Sequence, residues 1–502
     1  MVPQIDQDSV LSLPNDVSLI LRDDGLVVKD KDLARHSRVK LCGLPIGKAA
    51  AEITIPYYNI LWASAVSIRQ GLLIDYATEK SKTQLQRSTL IYRLDDVAMA
   101  TVQPWVEMLK SRAYAGAELQ RRVKVIINPH AGPGDAKRIC EEEVVPIFET
   151  ARMQVDVIET EQQGDATAIC RLLDITKYDT VVVCSGDGLA YEAFNGLGQR
   201  PDARTALQQI AVAHIPCGSG NAMSCNLNGS HYPGPAALAV VKGKRISIDL
   251  MSFTQGPRRL LSFLSQSVGI IAESDLGTED MRWLGAKRFD IGVIQRIFTK
   301  KVYPCDIAIR VEIEDKAQIK AHYARIHSHG PPGQKEEGKG KMIVSADEDA
   351  GEGLPPLRFG TVNDNVPDDW QTVSYDKLGN FYCGNMAYMA PNANFFTAAC
   401  INDGMMDVVI NDGDLPAHRY VHLMTAVASG RFFDNSLVSY RKVVAYRFTP
   451  RDQADGYISV DGERVPFEPF QVEVHPGLGT VLSKDGKYEA PGPRGWQRVS
   501  VS

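Results

Sequence analysis

The sequence predicts an α/β protein in two parts: an α/β region with glycine-rich turns at its strand ends, then a β-rich, sandwich-like region. Three observations predict it. Val181–Val183 is a β-branched run of the kind a buried parallel strand needs, and it stops at Ser185-Gly186-Asp187-Gly188. The same design recurs on either side: Val123–Ile127 runs into Asn128-Pro129-His130-Ala131-Gly132-Pro133-Gly134, and Ile210–Ile215 runs into Pro216-Cys217-Gly218-Ser219-Gly220-Asn221. From Ile246-Ser247-Ile248-Asp249-Leu250 onward, alternating strands take over and continue to about Ser483.

In chain order, residues 1–118 read as a strand-rich extension. Ile53–Ile55, Ile60–Val66, Gly71–Tyr76 and Ser88–Leu94 have strand character, and Val102–Tyr114 is an amphipathic helix. This part suits a membrane- or partner-recognising module, or a packing extension of the core behind it. Arg35, Arg38 and Lys40 beside Cys42 suggest membrane attachment by acylation, against the plainer reading of an ordinary cysteine. The α/β domain is expected over 119–245. After its Gly-Asp-Gly turn, Leu189, Ala193, Phe194 and Leu197 recur at helical spacing, and Gly196 and Gly198 are read as the helix exit. The β-rich domain is expected over 246–485. Within it, residues 313–357 are dense in Pro, Gly and charge and read as a mobile insertion that buries no core. Residues 486–502 read as a Pro/Gly-rich tail.

In an open parallel sheet the C-terminal strand ends share one edge, so the three glycine turns can converge on one crevice. Backbone N–H groups at such turns cradle phosphates, and Gly186, Gly188, Gly218, Ser219 and Gly220 can offer them without side-chain obstruction. Asp187 is the carboxylate placed at that crevice. It can accept the proton of an attacking hydroxyl, or hold Mg²⁺ directly or through water; the sequence leaves both roles open. Glu192, one turn further on, suits a nucleotide or metal contact, or favourable charge near a helix N-terminus. The sequence contains neither a Gly-x-x-x-x-Gly-Lys-[Ser/Thr] loop nor a protein-kinase His-Arg-Asp motif.

These residues resemble a known family. Ser185-Gly186-Asp187-Gly188 with Glu192 and Asn195-Gly196, the preceding Asn128-Pro129 turn and the following Gly218-Ser219-Gly220-Asn221-Ala222 are similar to the diacylglycerol-kinase-type catalytic domain. Within that superfamily the sphingoid long-chain base (sphingosine) kinases match best. The carriers are Gly269-Ile270-Ile271-Ala272-Glu273-Ser274-Asp275-Leu276 with Arg282 and Arg288, and the closing Val460-Asp461-Gly462-Glu463 with Gln471–Pro476. The resemblance spans about 120–485. It implies ATP- and Mg²⁺-dependent phosphorylation of the primary hydroxyl of sphingosine, dihydrosphingosine or phytosphingosine. It further implies that Asn128, Pro129, His130, Thr160, Glu192, Gly218, Ser219, Gly220, Arg282, Arg288, Asp461, Gly462 and Glu463 meet the nucleotide. Ser185, Gly186, Gly188 and Asp275 would meet the lipid, with Asp275 pairing its ammonium. For Asp461-Gly462-Glu463 a plain hairpin turn is the competing reading. The sequence departs from many relatives at His130, Pro133 and Asp135, where basic residues are usual, and at Asp165, where a histidine is usual. A diacylglycerol or ceramide kinase of the same superfamily, and a silent lipid-binding scaffold, are the rival readings.

Composition bounds the rest. A net charge of -6 over 502 residues carries no basic excess and argues against a nucleic-acid binder. The 9 cysteines show no Cys-x-x-Cys spacing, which points to a reducing compartment. The N-terminus lacks signal-peptide pattern, and no apolar run reaches the roughly 18–20 residues of a membrane span. The expected setting is cytoplasmic and peripheral to a membrane surface. A homodimer through the N-terminal region is left open. Phe263, Leu264, Ile270, Ile271, Phe395, Phe396, Met405 and Met406 are candidates for an acyl slot, or plain core.

Overall fold

The computed structural model of the chain describes residues 9–33, 52–66, 71–81, 83–94, 97–277, 301–329, 352–490, 492–493 and 496. The chain gathers into two compact units. One comprises Met1–Val123, Arg138–Asp156 and Tyr232–Lys244, the other Lys124–Lys137, Val157–His231 and Arg245–Ser502.

The first unit holds two antiparallel sheets. Val10–Leu13, Val17–Leu21, Gly25–Lys29 and Glu52–Pro56 form one; Ile60–Val66, Gly71–Glu79 and Leu85–Arg93 form the other. Helix Met99–Tyr114 then buries Val102, Trp105, Val106 and Leu109, the three-and-four spacing of one helix face. Its Tyr114 hydroxyl donates to the Leu61 carbonyl at 2.6 Å. The three strands before residue 30 were not expected, and Cys42 with its basic neighbours lies outside the described residues.

The second unit departs from the expected division of the chain. Segments 138–156 and 232–244, expected within the α/β domain, belong to the first unit. Helix Pro233–Lys242 is held there by the buried Lys242, whose ammonium donates to the carbonyls of Ile60 and Ala113 and lies 3.7 Å from the Tyr114 ring centre. Burial pulls that ammonium down to about 7. Within the second unit, strands from both expected domains join one sheet. Its α/β end runs, in spatial order, Gln154–Glu159, Arg122–Ile127, Thr180–Ser185 and Ala211–Pro216. Thr180–Ser185 and Ala211–Pro216 pair in parallel, Val181 beside Val212. The long closing strand Phe470–Ser483 then bridges the two parts. It pairs with Ala211–Pro216 in parallel at one end and with Ser439–Pro450 antiparallel at the other. Beyond it the sheet is β-rich and antiparallel, through Met406–Asp412, Leu378–Gly384, Ser265–Gly269 and Ile458–Val460.

Three expectations, on Gly196, the insertion and the tail, are corrected. Gly196 does not end a helix; helix Asp187–Gly198 runs through it and stops at Gly198, as expected of the second glycine. They are small because neighbours press on them: a methyl group on Gly196 would stand 2.7 Å from Cys170 Cβ, and one on Gly198 would stand 2.5 Å from Leu261 Cδ1. Part of the expected insertion is folded: helix Lys316–His329 buries Ile319, Tyr323 and Ile326, one helical face, in an aromatic core with Phe432, Phe433 and Tyr440. Segment 330–351 lies outside the described residues. The expected tail also packs, with Tyr488 donating to Asn226 Oδ1 at 2.7 Å and Trp496 stacking edge-on against Phe433.

Candidate functional site

The three glycine turns converge. A Cβ on Gly132 would stand 2.5 Å from the Cys217 carbonyl oxygen, and one on Gly218 would stand 2.7 Å from the Gly186 nitrogen. Backbone therefore lies against backbone at all three strand ends, an approach that only glycine permits. The Asn128 amide donates to the Cys184 carbonyl at 3.2 Å and the Cys217 amide to Ser185 at 2.8 Å, which stitches the turns together. Asn128 Oδ1 accepts the His130 amide at 3.0 Å, fixing the turn through Pro129. Asn221, in the left-handed region at φ 56, clamps Gly218 from both sides, accepting its N–H at 2.9 Å and donating to its carbonyl at 2.7 Å. The Gly218 amide is thus engaged inside the turn rather than offered to a phosphate.

Asp187 is the first residue of helix Asp187–Gly198 and presents its carboxylate to a second helix start. Its Oδ2 accepts the Ala222 amide and its Oδ1 the Met223 amide, each at 2.9 Å. These are amides that a helix leaves without an internal acceptor. Each carboxylate oxygen keeps a second lone pair, and the side chain is 12% exposed. Buried His214 stands behind it with Nδ1 3.7 Å from Asp187 Oδ1, while its Nε2 meets the Ser185 carbonyl at 2.9 Å. A carbonyl only accepts, so Nε2 carries the ring proton. Nδ1 has no hydrogen-bond partner and faces the carboxylate. The Ser185 hydroxyl donates to the Gly186 carbonyl. Neither Asn221 nor His214 was singled out from sequence.

The other carboxylates expected here divide. Glu192 caps helix Asp165–Arg171: Oε1 accepts the Gly164 amide at 3.1 Å, and Oε2 accepts those of Ala166 at 3.0 Å and Thr167 at 3.4 Å. Its geometry is that of a helix anchor. Asp165 accepts the Glu161 and Gln162 amides, which hold its carboxyl below the usual range. Thr160 is buried and bonded to Ile127 through both its amide and its hydroxyl. Asp461 points inward and accepts four hydrogen bonds, from Ser262 Oγ and the amides of Phe263, Leu264 and Ser265. Burial pushes its carboxyl up to about 6. The hairpin reading therefore describes Asp461, which sits with Gly462 at positive φ, 52 and 89. The hairpin still delivers Glu463 to the site. Its Oε2 accepts from Gln163 Nε2 at 2.7 Å, and its Oε1 lies 3.3 Å from where a Gly188 Cβ would stand. A Cβ on Gly220 would stand 3.4 Å from Asp187 Oδ2, so the Gly218-Ser219-Gly220 turn borders the carboxylate.

Asp275 is half-buried near the end of helix Ile270–Leu276, which follows Gly269 at φ +99. Burial holds the Tyr382 hydroxyl well above its usual range, and the charges of Asp275, Asp461 and Asp187 push it the same way. Those three carboxylates thus share one neighbourhood. Glu273, on the same helix, is held by Lys301 at 2.9 Å and by the Tyr303 hydroxyl. The helix start, Ile270 and Ile271, lines a narrow apolar cavity with Phe395, Tyr420, Leu423 and Phe432. Phe263 and Leu264 pack in the α/β core, Met406 in the sheet core and Phe396 in the aromatic core; Met405 is buried as well. Arg282 and Arg288 lie outside the described residues. Among the described residues no cluster of three or more His, Cys, Asp or Glu could cage a metal ion. No helix of the described residues is long and apolar enough to cross a membrane.

The chain is similar to several known proteins. Residues 122–253 match the diacylglycerol kinase catalytic domain, and residues 9–115 match a domain of unknown function. Sphingoid long chain base kinase 4 of Schizosaccharomyces pombe is 34% identical over 88% of this chain and 91% of its own length. Sphingoid long chain base kinase 5 of Saccharomyces cerevisiae is 33% identical over 76% of this chain and 62% of its own. Human sphingosine kinase 1 is 29% identical over 72% of this chain and 91% of its own. A crystal structure of a protein assigned as a diacylglycerol kinase from Bacillus anthracis shares the fold, with TM-score 0.50 and 18% identity over 73% of this chain and 97% of its own.

Proposed function

We propose that this chain, which belongs to the sphingoid long-chain base kinase family, transfers the γ-phosphate of ATP to the primary hydroxyl of a sphingoid base. The observation that carries the reading is the placement of Asp187 where three strand-end turns meet. Such transfer asks a protein mainly to position two reactants and stabilise phosphate charge. The Gly186–Gly188 turn and the Ser219-Gly220 backbone supply the phosphate side, with the amides that the start of helix Asp187–Gly198 leaves without an internal acceptor. Asp187 supplies the acceptor side: two helix amides hold its carboxylate still while lone pairs stay open toward the turns. From there it accepts the hydroxyl proton as the oxygen attacks.

Mg²⁺ fits this donor set as a companion of the nucleotide, because it is commonly held by one or two carboxylates together with substrate phosphates. Asp187 is the carboxylate that would hold it. When bound, the ion neutralises charge on the transferring phosphate.

Helix Ile270–Leu276 supports the choice of lipid. Its Asp275 offers a counter-charge that a buried ammonium needs, and its Ile270 and Ile271 front the apolar cavity. Cytoplasmic, membrane-peripheral work suits such a substrate.

The test is labelled γ-phosphate transfer from ATP to sphingosine, phytosphingosine, ceramide and diacylglycerol in mixed micelles, with wild type beside Asp275→Asn. The expected result is product from the free bases, with kcat/KM lowered about ten- to hundredfold in the variant through KM. Label on ceramide or diacylglycerol with equal efficiency would overturn the amino-lipid reading.

A further inference from the structure

The narrow cavity fronted by Ile270 and Ile271 is not apolar all round. Strands Leu378–Gly384 and Met406–Asp412 pair with Asn380 opposite Asn411, which puts both side chains on one sheet face. Helix Ala417–Ala428 adds Tyr420. All three residues line the cavity and are buried, at 2%, 5% and 3% exposure for Asn380, Asn411 and Tyr420. Neighbours fix one part of each group's hydrogen-bonding capacity and leave the rest. Asn380 Oδ1 accepts the Ile271 amide at 3.3 Å, so its Nδ2 hydrogens are left over. Asn411 Nδ2 donates to the Asp412 carbonyl at 3.2 Å and to the Tyr420 hydroxyl at 3.0 Å, so its Oδ1 is left over. The carbonyl only accepts, which fixes the direction of that amide. Burial pushes the Tyr420 hydroxyl up to about 12, and it keeps a proton to give. Among the described residues, Asn380 Nδ2, Asn411 Oδ1 and the Tyr420 proton have no partner. Two donors and one acceptor are thus unused in a space otherwise walled by Ile271, Phe395, Leu423 and Phe432.

We infer that Asn380, Asn411 and Tyr420 read a hydroxyl carried on the hydrocarbon chain of the base, and so select a 4-hydroxylated base over its counterpart without that group. The inference rests on the lipid-kinase reading above. An alcohol both donates and accepts, which complements what the three residues leave open. A plain alkyl chain in the same place would seal them off unpaired, at a cost in binding. Position along the chain follows from helix Ile270–Leu276. The Ile271 amide held by Asn380 lies four residues before Asp275, about 6 Å at 1.5 Å per residue. That reach suits a hydroxyl within a few carbons of the ammonium and not one near the methyl end. The hydroxyl on C3 is common to all these bases, so the discriminating one is on C4.

Phytosphingosine and dihydrosphingosine differ by that one hydroxyl, which makes them the probes. Each is offered to the full chain in mixed micelles, and kcat/KM is measured beside equilibrium binding of the same base. Wild type is compared with Tyr420→Phe, Asn411→Leu and Leu423→Met. Wild type should favour phytosphingosine roughly tenfold or more. Tyr420→Phe and Asn411→Leu should each lower that preference about threefold or more. The preference is a ratio taken within one protein sample, so any loss of folded protein cancels. Leu423→Met removes no hydrogen-bonding group and should keep the wild-type ratio. A wild-type ratio near one would overturn the inference, as would a ratio that Tyr420→Phe and Asn411→Leu leave unchanged. A ratio that Leu423→Met lowers equally would overturn it too, because cavity shape would then be the cause. Selective binding that Tyr420→Phe and Asn411→Leu abolish, with no phosphate transferred to any base, would uphold the three residues and overturn the kinase reading instead.

Discussion

Two carboxylates in the second unit look alike on paper and do different things. Asp187 and Asp461 each stand at a glycine-flanked turn, and each accepts backbone amides. Asp461 accepts four hydrogen bonds, which is the full lone-pair complement of a carboxylate, and it faces the interior. Asp187 accepts two, one on each oxygen, and remains open to the crevice. Amide contacts alone therefore do not mark a reactive carboxylate. The capacity left over after those contacts does.

Four substitutions break or sharpen this contrast. Asp187→Asn should lower kcat at least a hundredfold, because general-base assistance is worth about that much, while thermal unfolding barely moves. Gly218→Ala should disrupt both turns, since the new methyl meets Gly186 backbone that cannot step aside. Activity should fall more than tenfold, with a Tm loss of several degrees by calorimetry.

Asp461→Asn should act on stability instead. The wild-type carboxyl titrates at about 6 in the folded chain against 3.8 when free. Between those values the folded state holds the extra proton, so wild-type stability falls as pH rises from about 4 to about 6, by roughly 3 kcal/mol. The asparagine lacks that dependence. Denaturant titrations should show the gap between wild type and variant narrowing across this window. A gap that widens would mean that the buried carboxylate is stabilised, not penalised.

The smallest effect is expected at His214, whose unpartnered Nδ1 faces Asp187. His214→Gln should lower kcat a fewfold with ATP affinity unchanged, since the buried ring that backs the carboxylate is gone. An unchanged kcat would make His214 a packing residue.

Much of this site was legible in the sequence because strand-end glycines have few other uses. The run Val181–Val183 into Ser185-Gly186-Asp187-Gly188, and its two companions, gave sheet edge, crevice and carboxylate together. Side-chain direction was not legible. Asp461 and Glu463 are two residues apart in one turn, yet one points into the core and the other toward Gly188. Glu192 was legible as a charge near a helix start, but the helix it caps, Asp165–Arg171, precedes it in the chain. Composition misled at 313–357, where charge and glycine masked Ile319, Tyr323 and Ile326, whose helical spacing was already there to read. Gly196 was misread because a glycine chosen for contact looks the same as one chosen for a turn. His214 gave no signal at all: on a buried strand it reads as a satisfied core residue until Asp187 is placed beside it.

The measurement that tests the account most directly is the single-turnover transfer rate from ATP to sphingosine for wild type and Asp187→Asn, with ATP affinity measured on the same samples. The account predicts a rate loss of at least about a hundredfold with ATP still bound and the fold unchanged. A variant that transfers phosphate at the wild-type rate would contradict it, and would return Asp187 to the same structural class as Asp461.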